Sequence, residues 1–541
     1  MKDKIQKRVF LCKICFDEKG QITVFLALLF LVLLGFSLVI IEGVESYSAS
    51  YMAEDVIKNA GENIMANYSK ELFKNYHIFF LDPREKEYIL SDGKKYIDQG
   101  LSGSTFFNIH CNSLDIVEEK AVVDDDGLYF KHEIREWMKY REKVKAENGL
   151  KNIIKDINGN HAEREQYDKD IKAAETEEQE ITNKTEKNET QKEEGNTQGG
   201  EVNTEEEQVS PETQKERMTW KEIKEVLHTL LKTGVLFYVS DNPEKLSNKS
   251  ISLDNLPSRA RGGLLSAGKD EIGSRLNALS FSNIKEIRNL FDSDISIDKN
   301  SMLLTRDNYI IPYIEECFSC YCSNNGIKGG KKADKTVKKN GNKGKVLSYE
   351  TEYLISGKSS DLDNLKTVAN RILSLRFMTN YVLAGENIHL RMQIEAMAAA
   401  VSGFMGMPQA MKAVEVLIRT ALSYGESLLE VHTLFAGGEI PLIKSEADWN
   451  LELSTMARQL KEKKQVKRGK RNISYQDFLK ILLLTQGQSR KLCYRMMDIM
   501  QINIALKESG FLMENCLFSY KWKANFSIGT IGLDLERQNN Y

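Results

Sequence analysis

The sequence predicts a helix-rich α+β chain: a transmembrane helix continuing into an amphipathic helix, then outward mixed α/β units interrupted by disordered linkers. Three observations predict it. Ile22 to Ile41 is an unbroken, uncharged apolar run. Residues 160–217 and 322–346 lose apolar patterning. Residues 347–541 regain it, with helical spacing and short alternating stretches.

The 20 residues from Ile22 to Ile41 span the roughly 30 Å hydrocarbon core of a bilayer at about 1.5 Å per residue. Residues 1–21 form a basic leader with Lys2, Lys4, Lys7, Arg8, Lys13 and Lys19. Glu42, Glu45, Glu54 and Asp55 follow the run, and no Lys or Arg intervenes before Lys58. Cationic flanks stay on the cytoplasmic side. The expected topology is therefore a single-pass membrane protein, N-terminus inside and the bulk of the chain outside. A cleaved secretory signal is the competing reading. It would have an apolar region of roughly 7–15 residues and a small-x-small site, and Glu42-Gly-Val-Glu-Ser-Tyr is a poor one.

Residues 42–150 are expected to hold a helix plus a small α/β unit. Tyr47, Tyr51, Ile57, Ala60, Ile64, Tyr68, Leu72 and Tyr76 recur at near-helical spacing. They make a face for the chain's own domain or for partner helices. Tyr88-Ile-Leu, Thr105-Phe-Phe-Asn-Ile and Leu114 to Val123 read as strands, and His132 to Val144 as a helix.

Residues 160–217 are dominated by Glu, Lys, Thr, Gln and Asn, with no aromatic between Tyr167 and Trp220. Such a stretch buries too little apolar surface to offset its ordering entropy. It reads as a linker, helical at most at its start. Residues 218–321 resume helical patterning. Residues 322–346 form a second linker, with eight lysines and five glycines between Cys322 and Lys345. That lysine run is a solvated loop or a contact for anionic cell-wall polymer.

In 347–541, Ser348 to Ile355 reads as a strand. Asp361 to Leu383 reads as a helix with Ser360 as N-cap. Helices follow over 386–404, 408–432, 446–461 and 475–507, with Pro408 in a first turn. Ala396 to Met407 is too short to span a membrane and reads as buried core. Tyr520 to Ser527 alternates as an edge strand does.

Composition excludes several function classes. A net charge of -3 gives no nucleic-acid footprint. Eight cysteines in 541 residues make no disulfide scaffold. Cys12 and Cys15 supply two ligands where zinc needs about four. Cys317, Cys320 and Cys322 read as thiols or one disulfide. Gly357-Lys358-Ser359 lacks the earlier phosphate-loop glycine, its place being taken by Glu352, and reads as a strand-to-helix turn. His132-Glu133-Ile-Arg-Glu136 lacks the second histidine of a zincin helix. Glu350 and Glu352 share a strand face. They form a candidate acid–base pair, although a solvated face explains them as well. Arg376, Arg391, Arg419 and Arg495 read as paired structural arginines. No catalytic residue and no cofactor are expected.

Gly20 directly precedes the apolar run, after the basic leader. The arrangement resembles a type IV prepilin, with Gly20 and Gln21 as the processing junction. Pilin-like proteins carry Glu at the fifth position after the cut, and here that position is Phe25. Four further stretches matter: Tyr68 to Tyr76, Tyr349 to Lys358, Tyr475 to Leu479 and Arg495-Met-Met-Asp498. With these the chain resembles an uncharacterised family of single-pass envelope proteins of Gram-positive anaerobes, with a TadE/TadG-like N-terminus. The resemblance implies a non-enzymatic component of a tight-adherence pilus or secretion apparatus, with pilus or secretion subunits as partners. An envelope-polymer binding module and a cryptic hydrolase are the alternatives.

Overall fold

The computed structural model describes residues 2–82, 86–102, 108–141, 165–174, 176–177, 219, 221–230, 234–260, 307–324, 327–328, 331–332, 345–404, 410–485, 489–529 and 531–541, with backbone only over 2–21. Helices dominate, with few strands. The chain divides into two compact units. The first comprises Met1–Phe73, Phe79–Asp124 and Glu514–Tyr541, and the second Lys74–Ile78 and Asp125–Met513.

The first unit is built on α1 (Lys2–Met65). Its apolar segment from Ile22 onward is exposed and is long and apolar enough to cross a membrane. Further along, Ala49, Ala53, Val56, Ile57, Ala60 and Ile64 turn to one side and are buried. That spacing follows the 3.6-residue period. These residues pack with α2 (Lys86–Ser102) and a three-stranded antiparallel sheet, ordered β1 (Ile109–Ala121), β2 (Leu517–Ile528), β3 (Ile531–Asn540). Tyr520, Trp522, Ala524 and Phe526 alternate into this core. Lys521 and Lys523 face outward and pair with Glu536 at 2.7 Å and Asp534 at 3.2 Å. Gly61 lets the sheet approach α1, since a Cβ there would sit 2.1 Å from Asn539 Oδ1.

Four expectations for this unit change. Tyr88-Ile-Leu lies inside α2, because Ile89, Ile97 and Leu101 are one buried helical face rather than a strand. Leu114 to Val123 belongs to β1, which begins at Ile109 and ends at Ala121, while residues 103–107 lie outside the described residues. β2 is the central strand, because β1 and β3 pair with its two edges. The tyrosine stripe is not one helix. α1 ends at Met65, and Tyr47 and Tyr51 are exposed while the alanines near them take the buried face. Gly20 and Gln21 lie within the continuous α1 backbone.

The second unit centres on α3 (Glu350–Ser356), α4 (Asp361–Glu386), α5 (Ile388–Phe404), α6 (Met411–Phe435), α7 (Tyr475–Leu484) and α8 (Ser489–Ala505). Ser360 caps α4, its hydroxyl accepting from Asp363 N at 3.1 Å. Ser474 and Asp477 form a capping box on α7. Apolar side chains of α4 and α6, including Leu365, Ile372, Phe377, Leu417, Leu428 and Leu434, form the core between them. Removing one such side chain costs about 2–5 kcal/mol.

The span expected as a strand, Ser348 to Ile355, is helical from Glu350 onward. Every residue of α3 is buried, so neither a helical nor a strand period shows in its sequence. Residues 446–461 hold two short 3-10 turns and a helix from Met456 to Glu462. The start of the first expected linker is a helix at 165–174. Tyr167 and Ile171 are buried, and Asp170 pairs with Arg419 at 2.8 Å. Residues 178–218, Pro408, and the side chains of 324–344 and of Cys12 and Cys15 lie outside the described residues. His132 falls in a helix from Leu128 to Met138, shorter than expected.

Candidate functional site

A cluster of buried polar groups in the second unit surrounds α3, whose sequence reads Glu350-Thr-Glu-Tyr-Leu-Ile-Ser356. Its two carboxylates lie two residues apart on a helix, so they diverge. Glu350 Oε2 accepts from Ser319 N and Ser319 Oγ, both at 2.8 Å, and pairs with Lys345. Its Oε1 accepts from Asn503 Nδ2 at 2.6 Å, and that amide also donates to Tyr76 Oη at 2.8 Å.

Glu352 Oε1 accepts from Tyr321 N and from Tyr475 Oη, both at 2.9 Å. Its Oε2 has no partner among the described residues. Burial lifts this carboxyl to about 7 against the pull of those two donors. A carboxylic acid in this position holds its proton at mildly acidic pH.

The C-terminal half of α3 is held by cations. Arg495 donates to Leu354 O at 2.8 Å and Ser356 O at 3.1 Å. Arg371 reaches Ile355 O at 3.3 Å, and Arg259 reaches Gly357 O at 3.1 Å. Three guanidinium groups thus cover the carbonyls that a helix end leaves without internal partners, and they oppose its negative dipole. Tyr353 Oη donates to Asp498 Oδ2 at 2.8 Å, and Ser258 N donates to Oδ1 at 2.9 Å. Burial lifts Asp498 to about 6.

A second buried cluster joins α4 and α6. Arg376 binds Glu430 through Nε at 2.8 Å and Nη2 at 3.0 Å. Lys444 Nζ lies 2.9 Å from the same carboxylate and also pairs with Glu426. Burial opposes ionisation of Glu430, but Arg376 and then Lys444 overcome it and hold the carboxyl at about 2. Glu426 also accepts from Leu451 N at 2.9 Å and Asn450 N at 3.1 Å.

Glu350 and Glu352 are fully buried rather than solvated, and each serves different donors, so they make no shared acid–base site. Gly357 is the left-handed C-cap of α3 at φ 71°. The Gly-Lys-Ser segment therefore joins two helices. Arg376 and Arg419 are paired and largely buried, Arg391 makes an exposed contact with Glu395, and Arg495 caps carbonyls. His132 sits 3.6 Å from Glu133 and 3.9 Å from Glu136. Among the described residues no His, Cys, Asp and Glu set converges as metal ligands. Cys317, Cys320 and Cys322 are free thiols. Burial pushes Cys317 to about 12 and Cys320 to about 11, and raises Cys322, which leaves little nucleophilic thiolate.

Asp361, which accepts from Ser348 N at 2.9 Å and Tyr349 N at 3.1 Å, Asp498 and the Lys444–Glu426–Glu430 cluster carry roles that no sequence pattern assigned. The available signal was a charged residue inside an otherwise apolar helix, as at Glu426 and Glu430. Chemically, the carboxylates of both clusters accept from backbone N–H groups, hydroxyls and cations that fix helix ends and cross-links. This is scaffold chemistry.

A family model described as "Family of unknown function (DUF5702)" matches residues 211–528, which include α3 to α8 and β2. No curated protein and no solved structure matches the chain.

Proposed function

We propose a function for this chain, which belongs to the DUF5702 family of unknown function: a membrane-anchored structural or accessory component of a tight-adherence-type pilus or secretion apparatus. The observation that carries this reading is α1. Its exposed apolar segment passes without a break into the spine of the first unit. A stiff helix joining span to domain suits a component that holds its position in an assembly.

The basic leader and the acidic residues after Ile41 support a cytoplasmic N-terminus and an outward bulk. The carboxylates around α3 support a non-enzymatic role, since Glu350, Asp361 and one oxygen of Glu352 accept from internal donors. Cross-linking intact membranes, purifying the full chain and identifying its partners by mass spectrometry tests the proposal. Recovery of pilus or secretion subunits is expected. Recovery of the chain alone, at cross-linking that captures known complexes in the same membranes, counts against it.

A further inference from the structure

We infer that the first unit rests on the bilayer surface, with the hairpin end of β2 and β3, at Ile528, Gly529 and Ile531, seated in the headgroup layer beside α1. The inference rests on the reading of α1 as a membrane span.

Two contacts set the direction of the sheet. Asn539, opposite Tyr520, lies against Gly61, and Tyr520 Oη donates to Gly61 O at 3.3 Å. Tyr541 Oη donates to Met65 O at 2.6 Å. Two residues of strand, about 7 Å, therefore track four residues of helix, about 6 Å. β3 and the last turns of α1 run the same way.

Following β3 backwards from Asn539 to Ile531 covers eight residues, or about 26 Å. The same distance down α1 is about 17 residues, which ends near Val44. The tip of the hairpin is thus level with the first turn beyond Ile41, where the headgroup layer begins. Burial agrees, because Ala49 is fully covered only two turns above Ile41.

The chemistry of the tip fits that level. No charged residue occurs between Lys523 and Asp534. The ion pair of those two residues marks where the hairpin becomes charged again. Ile531, beside the turn at Gly529, is 48% exposed. Further along α1, about 5 and 11 Å beyond that level, Tyr47 and Tyr51 are 76% and 67% exposed. Tyrosines with an apolar ring and a polar tip favour this layer. The exposed Glu42 and Glu45 lie at this level as well, among the headgroups, and beside them the hairpin tip offers an uncharged apolar surface to the membrane.

The test uses the full chain in phosphatidylcholine vesicles. An environment-sensitive fluorescent amino acid is encoded at position 531, at 532, at 117 or at 31. An added side chain at Gly532 meets nothing within 4 Å, so that site tolerates the probe. Val117 is an exposed apolar control on β1, opposite the stretch between Trp522 and Lys521 and well back from the tip. Lipids spin-labelled near the headgroup should quench positions 531 and 532 several-fold more than 117. Lipids labelled deep in the acyl chain should quench position 31. Quenching at 531 and 532 no stronger than at 117, with 31 quenched by the deep label, would overturn the inference and leave the span intact. Absence of deep quenching at 31 would overturn the spanning reading, and the level assignment with it. Unchanged circular dichroism verifies the fold of each labelled chain.

Discussion

Glu352 and Tyr475 lie 123 residues apart in sequence and meet in a 2.9 Å hydrogen bond inside the second unit. The tyrosine hydroxyl donates to Oε1, the backbone N–H of Tyr321 donates to the same oxygen, and Oε2 has no partner among the described residues. A carboxyl buried this way resists ionisation, and the resistance is measurable.

The first prediction concerns that carboxyl. Its folded value of about 7 stands above the ordinary 4.5. Between those two values the unfolded chain releases the proton and the folded chain keeps it. Stability therefore falls as pH rises through this window, by about 3 kcal/mol in full. Glu352→Gln, a neutral isostere, should flatten this slope. Urea midpoints of the full chain in detergent across the window measure it, and parallel curves for the two proteins would refute the assignment.

Arg376→Met should cost about 3–5 kcal/mol, because it strips Glu430 of its bidentate partner in a buried site. Adding Glu430→Gln should recover part of that loss. A double-mutant cycle should return a coupling of about 1 kcal/mol or more. Additive effects would show that the pair does not act as one unit.

Gly357→Ala and Gly510→Ala separate backbone strain from displacement. Both glycines have positive φ, 71° and 85°. An added Cβ at Gly510 meets nothing within 4 Å, so about 1 kcal/mol of left-handed strain is expected. At Gly357 the Cβ would lie 2.3 Å from Arg495 Nη2. Displacing that guanidinium uncovers buried carbonyls and should raise the cost to about 2–4 kcal/mol. Equal melting shifts for the two variants would contradict the capping role of Arg495.

Alkylation should spare Cys317, Cys320 and Cys322 in the native chain at mildly alkaline pH and modify all three after denaturation. Burial raises each thiol, to about 12 at Cys317 and about 11 at Cys320. Peptide mass spectrometry reads the outcome. Rapid native modification of Cys320 would show a more open site.

The legible parts of the fold were those with local signals. The uncharged run gave the apolar part of α1, and Ser360 gave the start of α4. The structural reading of Arg376 and Arg419 also follows from charge on apolar helices. α3 was illegible because burial on all sides erases its period, and because the donors that satisfy Glu350 and Glu352 come from Ser319, Tyr321, Tyr475 and Asn503, far along the chain. β2 looked like an edge for a similar reason. Its partner β1 ends at Ala121, about 400 residues before β2 begins at Leu517. The hairpin's height beside α1 depends on two tyrosine hydroxyls that no local pattern announces.

The central claim is that this chain is an anchored, non-catalytic part of a pilus or secretion assembly. Its most direct test is the amount of that assembly at the cell surface in a strain lacking the protein. The account predicts loss of surface assembly, with restoration by the full chain and by Glu352→Gln. It predicts no restoration by a chain whose apolar run is broken by Leu31→Asp and Leu34→Asp. Unchanged surface assembly in the strain lacking the protein would contradict it.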